Sequence, residues 1–294
     1  MLAALCFGTT GTAQALGPGA IDPAAVGAAR IACGGALLVL FARLVRRANH
    51  SARPSWARGA GGVVFIGAAG VAAYQASFFA AVDHTGVAVG TIVALGSAPA
   101  LTGALEWALH GRRPPARWGV ATALASAGVV LLALAGGGEA GISPLGVGLA
   151  VLAGGSYATY TLASKRLLDD GHAPEGVMAA LFGLGAVVLA PVLILSGPGW
   201  LATGGGLALV LFLGVVPTAI AYVLFARGLR GLDASEAATI TLAEPVTAAA
   251  LGVFVLGEQV TGGGAAGAAL VLGGLVLLAL RPARPRLAIV AEPA

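Results

Sequence analysis

Two charged residues sit inside otherwise apolar runs: Arg30, seven residues after Pro23, and Glu244, directly ahead of Pro245. An arginine presents a planar fork of donors that matches a carboxylate. Arg30 is therefore a candidate to hold an acidic solute group or to gate its passage; its plainer role is a pairing with a neighbouring helix, or snorkelling toward a membrane surface. A carboxyl in dry surroundings favours its neutral form and releases its proton when water arrives, so Glu244 is a proton-coupling candidate. Its plainer role is a hydrogen bond to a carbonyl that Pro245 leaves without a donor.

Polar and aromatic residues recur at helical spacing nearby. Tyr74, Gln75 and Phe78 share one face, as do Ser156, Tyr157 and Tyr160, while Tyr222, Ser97 and Thr241 stand singly and Gln14 follows Thr9, Thr10 and Thr12. Such residues orient a solute through hydroxyls and amides and hold its apolar part against aromatic faces. The tyrosines fall well inside their runs and not at a membrane surface, where lining a cavity is expected over helix-packing hydrogen bonds. Glu106 lies near the end of its run, where pairing with Arg112 or Arg113 is expected.

Other chemistry is poorly supplied. Gly154-Gly-Ser-Tyr-Ala158 lacks the last glycine of a serine-hydrolase elbow, and His50, His84, His110 and His172 lie in connections or at run ends. Gly262-Gly-Gly-Ala-Ala-Gly267 has neither the preceding strand nor the later acid of a dinucleotide site; Gly263 and Gly267 suit helix packing instead. Neither H-E-x-x-H nor C-x-x-C spacing occurs, nor a Walker loop, so no cofactor or metal is expected.

The elements that must carry these residues are membrane helices. Hydrophobic residues make up 58% of the 294 and charged ones 10%, against about 25% in soluble domains. Cys6 and Cys33 lie in apolar runs and read as buried free thiols. Ten runs approach the roughly 20 residues that a span requires: approximately 2–16, 23–44, 59–82, 86–109, 116–135, 145–166, 174–196, 205–226, 234–256 and 262–280. The first has no basic lead-in and no cleavage site, and reads as a retained helix, not a removed signal peptide.

Charge sets an orientation. Of the 16 basic residues, all but Arg30 fall in alternate connections or the tail, namely Arg43, Arg46, Arg47, Arg53 and Arg58, then Arg112, Arg113 and Arg117, then Lys165 and Arg166, then Arg227 and Arg230, then Arg281, Arg284 and Arg286. The other connections carry acids, Asp22, Asp83, Glu139 and Glu258. Basic loops face the cytoplasm, which predicts an all-α integral membrane protein of ten transmembrane helices with both termini cytoplasmic. The net charge of +4 then reflects topology and anionic lipid, with no nucleic-acid partner. Trp56, Trp107, Trp118 and Trp200 read as interfacial anchors.

The chain also repeats. An offset of 146 lays Gly128–Leu134 over Gly274–Leu280, Pro99 over Pro245, Gly111 over Gly257 and Phe79 over Phe225. Each repeat holds five spans, and an odd number turns the second upside down. Two inverted five-helix repeats, 1–136 and 144–281, are expected, followed by a cytoplasmic tail, 282–294. Inverted repeats characterise secondary transporters, whose solute sits between the halves near mid-membrane.

The paired signatures Thr85-Gly-Val-Ala-Val-Gly-Thr-Ile-Val-Ala-Leu-Gly-Ser-Ala-Pro99 and Ala234-Ser-Glu-Ala-Ala-Thr-Ile-Thr-Leu-Ala-Glu-Pro245 precede Gly111 and Gly257-Glu258. In them the chain resembles the ten-helix EamA-like carriers of the drug/metabolite transporter superfamily, departing where Arg112 replaces the usual Glu. The resemblance implies export or exchange of small metabolites such as amino acids, and of some toxic compounds. A multi-pass protein of the plasma (inner) membrane, monomer or homodimer, is expected, with a small-molecule solute and lipids as partners. The cavity is expected between the third, fourth, eighth and ninth spans, with the first and sixth contributing and the Gly86/Gly90 face sliding. A non-transporting scaffold or a membrane-embedded enzyme is the competing class.

Overall fold

The computed structural model describes residues 1–19, 21–48, 59–111, 113–135, 143–257, 259 and 261–280. His50, Arg53, Trp56, Arg58, Arg112, Glu139, Glu258 and the tail with Arg281, Arg284 and Arg286 lie outside the described residues. The apolar runs fold into helices α1 (Leu2–Leu16), α2 (Pro23–Ala48), α3 (Ala60–Gly86), α4 (Val89–His110), α5 (Ala116–Ala135), α6 (Pro144–Asp169), α7 (Pro174–Leu195), α8 (Gly204–Leu229), α9 (Ala234–Leu256) and α10 (Gly262–Ala279). No strand occurs among the described residues. Nine of these helices are long and apolar enough to cross a membrane. The exception is α1, whose 15 residues reach only about 22 Å against a hydrocarbon core of roughly 30 Å.

Local sequence sets the ends. Ser143, Thr203 and Thr261 accept from the backbone N–H of Gly146, Gly206 and Gly264 at 3.3, 3.0 and 3.1 Å, satisfying donors that a helix start leaves free. Gly111 and Gly257 close α4 and α9 with φ of 67° and 73°, a left-handed conformation that costs little without a side chain.

At Gly86, φ of 77° and ψ of 162° interrupt the helix. The chain folds back there: a Cβ on Gly90 would lie 3.2 Å from the Val82 Cα, which a continuous helix forbids. Gly86 and Gly90 thus make the α3–α4 turn, a correction to the expected sliding face.

Gly67, Gly70 and Thr85 of α3 meet Ala163, Ser156 and Gly146 of α6 in reverse order, so these helices are antiparallel and the bundle has two distinct ends. Asp22 and Asp83 lie at one. Arg43, Arg46, Arg47, Arg113, Arg117, Lys165, Arg166, Arg227 and Arg230 lie at the other, where Lys165 and Arg166 pair with Asp169 and Asp170 at 2.8 and 3.2 Å.

Helices meet where side chains are missing, since small residues let backbones approach closely in lipid. A Cβ on Gly8 of α1 would lie 2.9 Å from the Glu244 carbonyl oxygen of α9. One on Gly154 of α6 would lie 3.2 Å from the Ala98 nitrogen of α4. Between α5 and α10, Gly128 faces the Gly267 carbonyl and Val271 nitrogen at 2.5 and 2.7 Å, and Gly274 faces the Ala121 carbonyl and Ala125 nitrogen at 2.6 and 3.1 Å. Position rises along α5 as it falls along α10, so the two helices are antiparallel. Gly267 therefore packs as expected, with Gly263 beside Ala135 at 3.6 Å.

Two helices are irregular at prolines. Pro217 lies in a π-helical turn, Val215–Ile220, where the Thr218 hydroxyl donates to the Leu213 carbonyl at 2.7 Å; proline has no N–H with which to serve that carbonyl. In α9 the segments Ala234–Thr241 and Ala243–Leu256 are separated at Leu242, three residues before Pro245.

Candidate functional site

The chain has four tyrosines, and the fold brings all of them together from three helices. The Tyr74 ring lies 6.4 Å from those of Tyr157 and Tyr160, Tyr157 5.0 Å from Tyr160, and Tyr160 6.2 Å from Tyr222. Most pairs meet edge to face, the arrangement that aromatic quadrupoles favour. Helical periodicity explains the first step: Tyr157 and Tyr160, three apart on α6, project together toward Tyr74 on α3. Gly70, one turn before Tyr74, brings α3 to within 3.0 Å of the Ser156 carbonyl, measured from a Cβ placed there.

Three of the four hydroxyls make hydrogen bonds here. Tyr157 bonds the Thr241 hydroxyl at 3.0 Å and Tyr160 the Tyr222 hydroxyl at 3.3 Å. Thr241 is the last residue before the α9 break, so the tyrosine group touches the irregular backbone that precedes Glu244. Phe78 stacks on Tyr74 at 5.7 Å and 11°.

Two members are invisible in the sequence pattern. Phe7 of α1 lies 5.0 Å and Phe182 of α7 4.0 Å from the Tyr222 ring. Each is an apolar residue in an apolar helix, which offers no signal.

Arg30 reaches this region from α2. One guanidinium nitrogen donates to the Gln75 side-chain oxygen at 3.5 Å, and the Gln75 amide donates back to the Gly27 carbonyl at 3.2 Å. The Arg30 Nε is buried without a hydrogen-bond partner. Among the described residues, Arg30 and Glu244 form no ion pair. A cation bonded to Gln75, beside Tyr74, and a carboxyl three residues after Thr241 thus lie near the tyrosine group, uncommitted to one another.

Other expected residues lie elsewhere. Gln14 is exposed on α1. Ser97 fills the α4–α6 crossing against Gly154 and donates to the Ala94 carbonyl at 3.3 Å. Ser156 returns its hydroxyl to the Leu152 carbonyl at 2.8 Å. Glu106 differs from its expected arginine pairing, bonding the start of α9 instead: its two oxygens accept from the backbone N–H of Ala234 and Ser235, each at 3.1 Å. Arg113 lies over the Trp107 ring, 5.0 Å from its centroid. Trp118 packs over Gly103 in place of a purely interfacial position.

A cavity of about 600 Å³ opens at the Asp22 end. Asp22, Pro23 and Ala28 of the α2 region, Gln75 and Asp83 of α3, and Val192 of α7 line it. It lies among α2, α3 and α7, apart from the tyrosine group, to which none of its lining residues belongs. Gln75 joins the two parts of the site: it lines the cavity and bonds the Arg30 that lies near the tyrosine group.

Residues 1–134 and 144–280 match the EamA-like transporter family. The chain belongs to that family. It is 41% identical over 288 residues to the uncharacterized transporter YwfM of Bacillus subtilis strain 168, covering 98% of this chain and 95% of that one. A 32% match over 209 residues to an uncharacterized transporter of Archaeoglobus fulgidus covers 69% of this chain and 70% of its relative. A crystal structure superposes with a TM-score of 0.79 over 95% of both chains at 26% identity. This EamA-like chain is therefore a multi-pass membrane transporter of the drug/metabolite superfamily, and the four tyrosines are its candidate solute site.

Proposed function

We propose that this transporter carries a small organic metabolite, amino acids among them, by alternating access, as an exporter or exchanger of the plasma (inner) membrane. The observation that carries the reading is the convergence of all four tyrosines, with the Gln75-bonded Arg30 beside Tyr74 and Thr241, three residues before Glu244, bonded to Tyr157. Buried polar groups in a bilayer cost several kcal/mol when unsatisfied, and charged ones mark solute or ion pathways. Arg30 would take an acidic group, the hydroxyls of Tyr157, Tyr160, Tyr222 and Thr241 would orient the solute, and Tyr74 and Phe78 would hold its apolar part. Glu244 would carry the coupling proton.

Two inverted halves are part of the proposal, and the glycine contacts support them. Gly8 against Glu244 and Gly154 against Ala98 are the same contact shifted by 146 in both partners. Gly128 against Gly267 and Val271, and Gly274 against Ala121 and Ala125, are related by the same shift. Gly111 and Gly257, also 146 apart, adopt the same left-handed cap. Equivalent helices α5 and α10 are antiparallel, as a two-fold axis in the membrane plane requires. The basic residues at one end favour that end, with both termini, as cytoplasmic.

Solute counterflow in proteoliposomes tests the reading. Exchange of at least one amino acid or related metabolite is expected; no exchange across a broad metabolite panel would overturn it.

A further inference from the structure

The Glu106 carboxylate ties the end of α4 to the start of α9. Both oxygens are used, each accepting one of the successive N–H groups of Ala234 and Ser235 at 3.1 Å. A helix start leaves its first N–H groups without intrahelical acceptors and carries partial positive charge, so a carboxylate there is held by charge-assisted bonds. Glu236 of the same turn serves the preceding Asp233 N–H at 3.4 Å. The two donors that Glu106 takes are left to a residue 128 positions away.

Among the described residues the tie exists at one end. Shifted by 146, Glu106 falls on Gly252, and Ala234 and Ser235 fall on Ala88 and Val89, at the start of α4. A glycine offers no carboxylate, so the symmetry-related tie has no acceptor. The cavity opens at that untied end, beside Asp22 and Asp83, while the tied end carries Arg113 and Arg230. A chain with nearly two-fold packing is thus asymmetric in one bond set, and the bonded end is the one away from the cavity.

We infer that Glu106 is a latch that holds the basic end of the transporter shut and biases the resting protein toward opening at the Asp22 end. Opening the basic end requires α4 to leave α9, which strips both N–H groups of their acceptor. Among the described residues the opposite end has no such pair to break. Glu106 is a positioning residue in this scheme and does not touch solute. The inference rests on the proposed alternation between two open ends.

Single cysteines on a background with Cys6 and Cys33 replaced by alanine test it. Ala237, buried in the first turn of α9, reports the basic end, and Ala80, which lines the cavity, reports the other. In membrane vesicles, Glu106→Ala is expected to raise maleimide labelling of an Ala237→Cys reporter several-fold and to lower that of Ala80→Cys. Glu106→Gln, which keeps one oxygen acceptor, falls between. Faster labelling at both ends would mean a loosened fold and overturn the inference, as would unchanged labelling at both. The labelling needs no solute, so failure of counterflow with a reciprocal shift would fault the proposed transport alone, whereas counterflow with no shift would fault the latch alone.

Discussion

A side chain on Gly8 would stand 2.5 Å from the Thr247 Cβ and 2.9 Å from the Glu244 carbonyl oxygen. The absence of a methyl group is what lets α1 lie against the broken segment of α9. Overpacking a tight contact costs about 1–3 kcal/mol. Gly8→Val is therefore expected to lower the thermal unfolding midpoint in detergent, and Gly154→Val to do the same at the related crossing. Gly11→Ala, with open space around it, should leave the midpoint unchanged or slightly raised.

Glu244 carries the coupling proposal. Glu244→Gln keeps the side chain's shape and removes its proton chemistry. Uptake driven by a pH gradient should be lost while solute counterflow at equal pH persists. A variant that still accumulates solute against its gradient would remove the proton-coupling role.

Arg30 is expected to discriminate by charge. Hydrogen bonds to ionised groups contribute about 1.5–3 kcal/mol, which corresponds to about ten-fold or more in affinity. Arg30→Gln should weaken exchange of a carboxylate-bearing solute by that factor and leave an amide analogue much less affected. Competition counterflow with the two analogues measures the difference.

Tyr160 and Tyr222 share one hydrogen bond, so their effects should not add. Tyr160→Phe and Tyr222→Phe are each expected to lower stability by about 1 kcal/mol, and the double variant by less than the sum. Thermal unfolding of the three variants gives the coupling directly.

Much of this arrangement is legible in the residues themselves. Apolar runs separated by charge gave the helices to within a few residues, because membrane-spanning backbone must bond internally and admits few alternatives. The tyrosines could be picked out because a phenol deep in such a run is unusual. Positions defined by close approach across helices were harder to see. Phe7 and Phe182 join the tyrosines only through the crossing of α1 and α7 with α8, which composition does not encode. Glu106 departs from its expected pairing because a nearby arginine is an obvious partner in sequence, whereas backbone N–H groups far along the chain are not. The cavity among α2, α3 and α7 gathers residues from Asp22 to Val192, a juxtaposition that composition does not encode.

The antiparallel contact of α5 with α10 bears on how the protein is made. Gly128 exposes a backbone surface that only the later Gly267 and Val271 fill, and membrane helices enter the bilayer in the order of synthesis. Until α10 emerges from the ribosome, α5 has its smallest-residue face against lipid, with its intended neighbour still unsynthesised. A nascent chain stalled before Gly262 is therefore expected to leave the Gly128 face of α5 without the helix that covers it.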